Sequence, residues 1–348
     1  MELKTFWEGK KVFVTGHTGF KGSWLCLELI RRGAVVKGFS LTPHTNPNLW
    51  SLLSLKEMES RVGDVRDTEK LQKEIVDFNP EIIIHAAAQA IVLEGYQNPL
   101  ETFSTNIMGT ANVLEAARAS SRVKVILNVT TDKVYENENT QKSFSETDPL
   151  GASDPYSTSK AASELVTASY RKSFFSNIKV ATARAGNVIG GGDWSENRLV
   201  PDIIRAVENN SELVIRRPQA VRPWQHVIDV NEGYLKYIEY LYSSDANYVS
   251  GLNFAPTSNK PWSVEEILQF VQRKFPELHL KYQVVPDKRE EADFLSLDSS
   301  LALKTIGWKN KWDIAATIEK SFYWYSECRK GVDSRELSVR QLREHLSC

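Results

Sequence analysis

Through the first half of the chain, short runs of apolar residues alternate with longer stretches of helical periodicity. Residues 11–15, 34–36, 81–85, 123–127 and 178–182 are almost continuously hydrophobic rather than alternating, the pattern of strands covered on both faces. Between them, 22–32, 68–78, 100–120 and 157–172 read as helices. This alternation predicts an α/β fold, a doubly wound parallel sheet. After Gly190 the pattern changes. Gly190-Gly191-Gly192-Asp193-Trp194 reads as a loop, and short mixed segments rich in Trp, Arg and Pro follow. The expected organisation is a sheet domain over 1–185 and a smaller mixed α/β lobe over 186–330, some of whose segments return to the sheet. A charged stretch over 331–348 closes the chain as a surface helix or a frayed tail.

Composition narrows the partners. The 348 residues carry 43 Lys and Arg against 44 Asp and Glu, a net charge of −1, which gives no global grip on nucleic acid or an anionic membrane. Cys26, Cys328 and Cys348 stand far apart in neither a C-x-x-C nor a zinc spacing. No disulfide scaffold and no metal site is therefore expected. No apolar stretch approaches the roughly 20 residues of a membrane helix, and the first eight residues lack signal-peptide character. A cytoplasmic protein is expected.

The first strand runs into Thr15-Gly16-His17-Thr18-Gly19-Phe20-Lys21-Gly22. Glycines here let the backbone turn sharply and approach a pyrophosphate, and the next helix offers free N–H groups and its positive dipole end. A strand before the turn and a helix after it favour a Rossmann-type dinucleotide site over a ligand-free Gly-rich turn. The acid expected some 20 residues on is missing, since the second strand ends Phe39-Ser40-Leu41-Thr42. No arginine replaces it, so these residues leave NAD and NADP both open. Asp64, in Gly63-Asp64-Val65-Arg66-Asp67, could accept from an adenine amino group, whereas Asp67 is as readily a helix N-cap.

Tyr156 and Lys160 stand at i and i+4, on one face of a helix. A lysine beside a phenol favours the phenolate, a base for a substrate hydroxyl. Asn128-Val129-Thr130-Thr131-Asp132-Lys133 lies at the carboxyl end of the fifth strand, where open α/β sheets bind ligands. Asp132 and Lys133 read either as acid–base groups or as a solvated turn.

These blocks resemble the extended short-chain dehydrogenase/reductases that act on nucleotide sugars, the NAD-dependent epimerase/dehydratase family. Thr131-Asp132-Lys133-Val134-Tyr135-Glu136-Asn137, Asp154-Pro155-Tyr156-Ser157, Ala183 to Trp194 and Arg222-Pro223-Trp224-Gln225-His226-Val227 are similar to its CDP-glucose 4,6-dehydratase branch. The dTDP-glucose branch carries Asp-Glu where this chain has Asp132-Lys133. Gly151-Ala152 and Ala255 replace family glycines, small for small. Glu290 stands where the branch carries a His, a departure confined to substrate contacts of that loop.

The resemblance implies NAD held by Gly16, His17, Thr18, Gly19, Phe20, Lys21, Gly22, Asp64, Val65, Ala86, Ala87, Ala88, Tyr156 and Lys160. It implies that Tyr156 takes the proton of the sugar 4-hydroxyl as the cofactor accepts hydride, with Lys160 lowering the phenol pKa and Thr131 bonding the 4-oxygen. Asp132, which must be protonated to do so, gives a proton to the departing 6-hydroxyl. Lys133, or a group it orders, takes the C5 proton, and the hydride returns to C6. Asn187, Arg198 and Arg222 match positions near the substrate diphosphate, where a guanidinium fork suits phosphate; a surface arginine beside Pro223 is the plainer reading of Arg222. Trp194 and Trp224 either wall the pocket or pack the core. The partner is a small nucleotide sugar, and the assembly a homodimer or dimer of dimers through 100–120 and 157–172. Another 4,6-dehydratase or an epimerase of the same fold is the nearest alternative, although an epimerase needs no acid for a leaving hydroxyl. A non-catalytic NAD-binding regulator is the remote one. Because His17 and Lys21 would crowd or mis-charge the pyrophosphate, and the second strand lacks its acid, loose cofactor binding is expected.

Overall fold

A computed structural model of the chain describes residues 6–138, 140–257, 261–285 and 292–348. Seven parallel strands form the central sheet: β1 (Lys11–Thr15), β2 (Val35–Ser40), β3 (Glu59–Val62), β4 (Ile82–His85), β5 (Val125–Val129), β6 (Lys179–Ala185) and β7 (Gly251–Phe254). Their order is β7-β6-β5-β4-β1-β2-β3. The chain winds from β1 to β3 on one side and from β4 to β7 on the other, so the crevice for a ligand lies between β1 and β4.

The continuous hydrophobicity of the strands has a direct cause. Val12, Val14, Ile82, Ile84, Val125 and Leu127 are buried with α1 (Phe20–Arg31) on one face. Phe13, Ile83 and Ile126 are buried on the other with α2 (Thr68–Phe78) and α3 (Gly109–Arg118). Next along the chain, α4 (Pro155–Ser173) begins at Asp154, which accepts from Ser157 N at 2.9 Å, with Pro155 at its first position. Asp67 is the cap of α2, accepting from Lys70 N at 3.1 Å. On the face of α1 lies α5 (Val227–Ser243).

At their carboxyl ends four strands place polar residues in one register row, Thr15, His85, Asn128 and Thr182. Short strand pairs lie beyond the sheet, among them Val188–Ile189 with Gln225–His226. The C-terminal stretch is no frayed tail. After α6 (Ile314–Arg329), α7 (Ser334–Ser347) docks with His345 buried between Asp229 Oδ1 at 2.8 Å and Glu232 Oε2 at 3.3 Å. No helix among the described residues is long and apolar enough to cross a membrane.

Candidate active site

The glycine turn is folded hard against the exit of β4. Gly16 has φ +77°, and a Cβ there would lie 2.7 Å from Ala87 N and 2.8 Å from the Ala86 carbonyl carbon. A Cβ on Gly22 would collide with Gly16 O, so both positions exclude larger residues. Gly19 caps α1 with no side-chain acceptor, leaving first-turn N–H groups for an anion. Thr15 Oγ1 accepts from Ala87 N at 3.2 Å and meets His85 Nδ1 at 2.7 Å; His85 Nε2 meets Thr110 Oγ1 at 3.1 Å. Burial, and then the charge of Lys160, hold His85 at about 3, so this link is neutral.

His17 does not crowd the turn, contrary to the expectation from sequence. Its ring fills the space left by Gly38, with Nε2 2.7 Å from Ser60 Oγ and Trp50 edge-on at 4.7 Å. Burial lowers it to about 4, so it brings no positive charge. The charged groups acting on Lys21 are Arg198, Asp132 and Lys160. At the tip of β2, Thr18 Oγ1 bonds Ser40 Oγ at 2.8 Å and Leu41 O at 2.9 Å, where a carboxylate was sought. Asp64 is gripped by Arg66, whose Nη2 lies 2.6 Å from Oδ2 and whose backbone N donates to Oδ1 at 2.8 Å. That grip holds its carboxyl below the usual range. Val65 is buried in the core between strand and helix, its side chain filling the space beside Gly109.

The catalytic floor is α4 facing the exit of β5. Tyr156 is buried, and burial pushes its phenol up to about 12, with its hydrogen bond to Thr131 working the other way. Lys160 Nζ donates to Val129 O at 2.8 Å; burial lowers it to about 8 against the pull of Glu164. The cation that acts most on Tyr156 is Arg198 rather than Lys160. The expected lowering of the phenol by Lys160 is therefore not the arrangement found. Asp132 is only 1% exposed; its Oδ1 accepts from Thr131 Oγ1 at 2.9 Å. Its Oδ2 has no partner among the described residues and lies where a Cβ of Gly186 would be, so a larger residue at 186 would displace this carboxyl. Lys133 is half-buried on the same short turn, its backbone N bonding Thr131 Oγ1 at 3.4 Å.

Residues that sequence reasoning missed hold this floor. Glu164 accepts from Arg184 Nε at 2.9 Å and Nη2 at 2.8 Å, from Thr130 Oγ1 at 2.5 Å and from Thr182 Oγ1 at 2.7 Å. Burial alone would raise its carboxyl, but Arg184 and these hydroxyls outweigh it and the net shift is downward. Arg184 Nη1 also donates to Tyr135 Oη at 2.7 Å. A wide helical turn, Ser104–Met108, brings Asn106 inward to donate to Ser159 Oγ at 2.8 Å. Ser159 in turn donates to Tyr156 O at 2.6 Å. Glu164 was readable as Lys160 plus four; Asn106 carried no local signal.

Beyond β6, Asn187 adopts φ +36° and its carbonyl accepts from Gln225 N at 3.3 Å. Arg198 Nη1 donates to Asp193 Oδ2 at 2.9 Å. Arg222 is no surface arginine: it is buried, with Nη1 donating to Val221 O at 2.9 Å and Asp293 O at 3.4 Å. Trp224 is buried and donates to Trp262 O at 3.1 Å, while Trp194 packs edge-on against Trp324 and Tyr325. Both serve as core aromatics. Glu290 lies outside the described residues. The fold thus gathers Lys21, Thr131, Asp132, Tyr156, Lys160 and Arg198 into one cleft.

The fold is a Rossmann-type doubly wound sheet, and residues 13–321 match the GDP-mannose 4,6 dehydratase family. The chain belongs to that family. It is 41% identical over 352 aligned residues to the CDP-glucose 4,6-dehydratase of Salmonella typhimurium, covering 99% of this chain and 98% of that one. Two solved structures have the same fold. One is a dTDP-glucose 4,6-dehydratase from Bacillus anthracis in complex with NAD, with TM-score 0.77 and 20% identity over 92% of this chain and 97% of that one. The other is a UDP-glucose 4-epimerase from Thermotoga maritima, with TM-score 0.82 and 20% identity over 91% and 99%.

Proposed function

We propose that this protein is a hydro-lyase that converts CDP-glucose to CDP-4-keto-6-deoxyglucose with bound NAD. The observation that carries the reading is the full-length likeness to a CDP-glucose 4,6-dehydratase, joined to a cleft that pairs a buried carboxyl, Asp132, with Tyr156. The test incubates the enzyme with CDP-, UDP-, dTDP- and GDP-glucose and reads the near-ultraviolet absorbance of 4-keto-6-deoxy products in strong base. Product with CDP-glucose alone is expected. Product from another sugar nucleotide but not CDP-glucose would reassign the substrate, and a C4 epimer in place of product would reassign the reaction.

The residues fit a dinucleotide. Gly16 and Gly22 keep Cβ atoms out of the cradle, the uncapped start of α1 offers N–H groups to the pyrophosphate, and Ala86 and Ala87 close on Gly16; Asp64 and Ala88 would line the rest of its path. Lys160 and Tyr156 would hold the nicotinamide ribose. Bound NAD supplies the hydride acceptor for C4 and the donor for C6. Tyr156 removes the 4-hydroxyl proton, and Thr131, between the phenol and Asp132, holds the 4-oxygen. Asp132 delivers a proton to the departing 6-hydroxyl, since hydroxide leaves poorly without one. The C5 proton goes to Lys133 or a group it orders. Arg198, Arg222 and Asn187 would hold the diphosphate end.

Neutral Thr18 and Ser40 at the tip of β2 replace the carboxylate that grips a ribose. NAD is therefore expected to dissociate on dialysis, leaving part of the protein empty and activity that rises with added NAD. Full occupancy after dialysis, with no response to NAD, would contradict this. Leu100, Met108 and Leu165 are exposed on the segments expected to pair two subunits, which supports a homodimer; sedimentation at micromolar concentration reads it. Three cysteines far apart in sequence, in neither a C-x-x-C nor a zinc spacing, support a cytoplasmic setting.

A further inference from the structure

The Asp132 carboxyl leans on main chain. It occupies the place that a Cβ of Gly186 would take. Thr131 Oγ1 donates to its Oδ1 at 2.9 Å, and Oδ2 has no partner among the described residues. With one hydrogen bond of its own, the carboxyl is aimed largely by where the Gly186 main chain stands. Gly186 and Asn187 lie between the end of β6 and the Val188–Ile189 strand, outside either ladder.

One residue holds both of their carbonyls. Gln225 is only 1% exposed, and its Nε2 donates to Gly186 O at 3.1 Å and to Phe254 O at 2.7 Å. Its backbone N donates to Asn187 O at 3.3 Å. The side chain thus ties the exit of β6 to the end of the edge strand β7. Both side-chain partners are carbonyls, which can only accept, so an NH₂ group is the end that must face them. Gln225 is itself anchored. It pairs with Val188, and the next residue, His226, caps α5 by accepting from Ile228 N at 3.3 Å.

We propose that Gln225 is a positioning residue for the elimination step: by fixing the Gly186 main chain, it keeps the Asp132 carboxyl in the orientation from which it gives its proton. This rests on the dehydratase reading above and adds a residue that acts on the acid through the backbone. Misplacing a reacting group by about 1 Å can cost about 10² in rate. C4 oxidation needs Tyr156 and not the acid, so the effect belongs to water loss alone. Gln225→Leu takes the donor from two carbonyls and frees Gly186 to shift. Gln225→Glu keeps the shape but sets a carboxylate against two acceptors.

Single turnovers with CDP-glucose separate the steps, with absorbance of the reduced cofactor reading oxidation and 4-keto-6-deoxy product reading water loss. Both variants are expected to reduce the cofactor within a few-fold of the parent rate and to lose water about 10²-fold more slowly. In the Asp132→Asn background, Gln225→Leu should slow water loss no further, because a residue that works through Asp132 then has nothing left to aim. Partial unfolding, read by thermal melting, would lower both steps alike. Equal losses in the two steps, parent-rate water loss in Gln225→Leu, or the same further loss in the Asp132→Asn background would overturn the proposal. If no sugar nucleotide reduces the cofactor in the parent enzyme, the dehydratase reading fails instead, and this role with it.

Discussion

Tyr156→Phe is expected to abolish C4 oxidation and leave sugar-nucleotide binding largely intact. The ring keeps its packing in a buried site, and only the hydroxyl that takes the substrate proton is lost. Removing a general base costs about 10²–10⁴ in rate, which is about 3–5 kcal/mol of barrier. Stopped-flow absorbance of the reduced cofactor reads the step, and calorimetric titration with CDP-glucose reads binding. Turnover within a few-fold of the parent would remove Tyr156 from the base role.

Asp132→Asn is expected to separate the half-reactions. The amide keeps an oxygen for Thr131 Oγ1, now 2.9 Å from Oδ1, and it is small enough for the space beside Gly186. It has no acid proton to give. Cofactor reduction should therefore proceed near the parent rate while water loss slows by about 10²–10⁴, so reduced cofactor accumulates in a single turnover. If the variant dehydrates at the parent rate, the proton comes from water or Thr131. An isosteric change at a buried position with one unpartnered oxygen should spare the fold, which thermal melting verifies.

The parts of this fold legible in sequence are those set by neighbours within a few residues. Apolar runs, the glycine turn and Tyr156-x-x-x-Lys160 are short patterns, and each strand they mark is present, although β5 starts two residues later than the apolar run suggests. β7 is only four residues long, and pairing with β6 across the 65 residues between Ala185 and Gly251 made it a strand. The destination of His17 depended on Gly38 in the next strand. The buried face of α7 is largely polar, with Ser338, Gln341 and His345, and a hydrophobic pattern cannot announce a helix docked through hydrogen bonds. The partners of Arg222 could not be read from sequence because its acceptors are backbone carbonyls, which side-chain identities do not record.

Glu164 and Arg184 cannot change one at a time. Removing either leaves a buried charge alone at a cost of about 3–5 kcal/mol, a large share of the 5–15 kcal/mol that holds a typical domain together. Replacing both with apolar residues of similar volume avoids that cost. Natural variation at these positions should therefore be paired, and a saturation library should show each intolerant alone but permissive in combination. The permissive doubles carry a second mark. Without Glu164 the pull that keeps Lys160 protonated is gone, so such lineages would fold normally and drift toward a less basic lysine beside Tyr156.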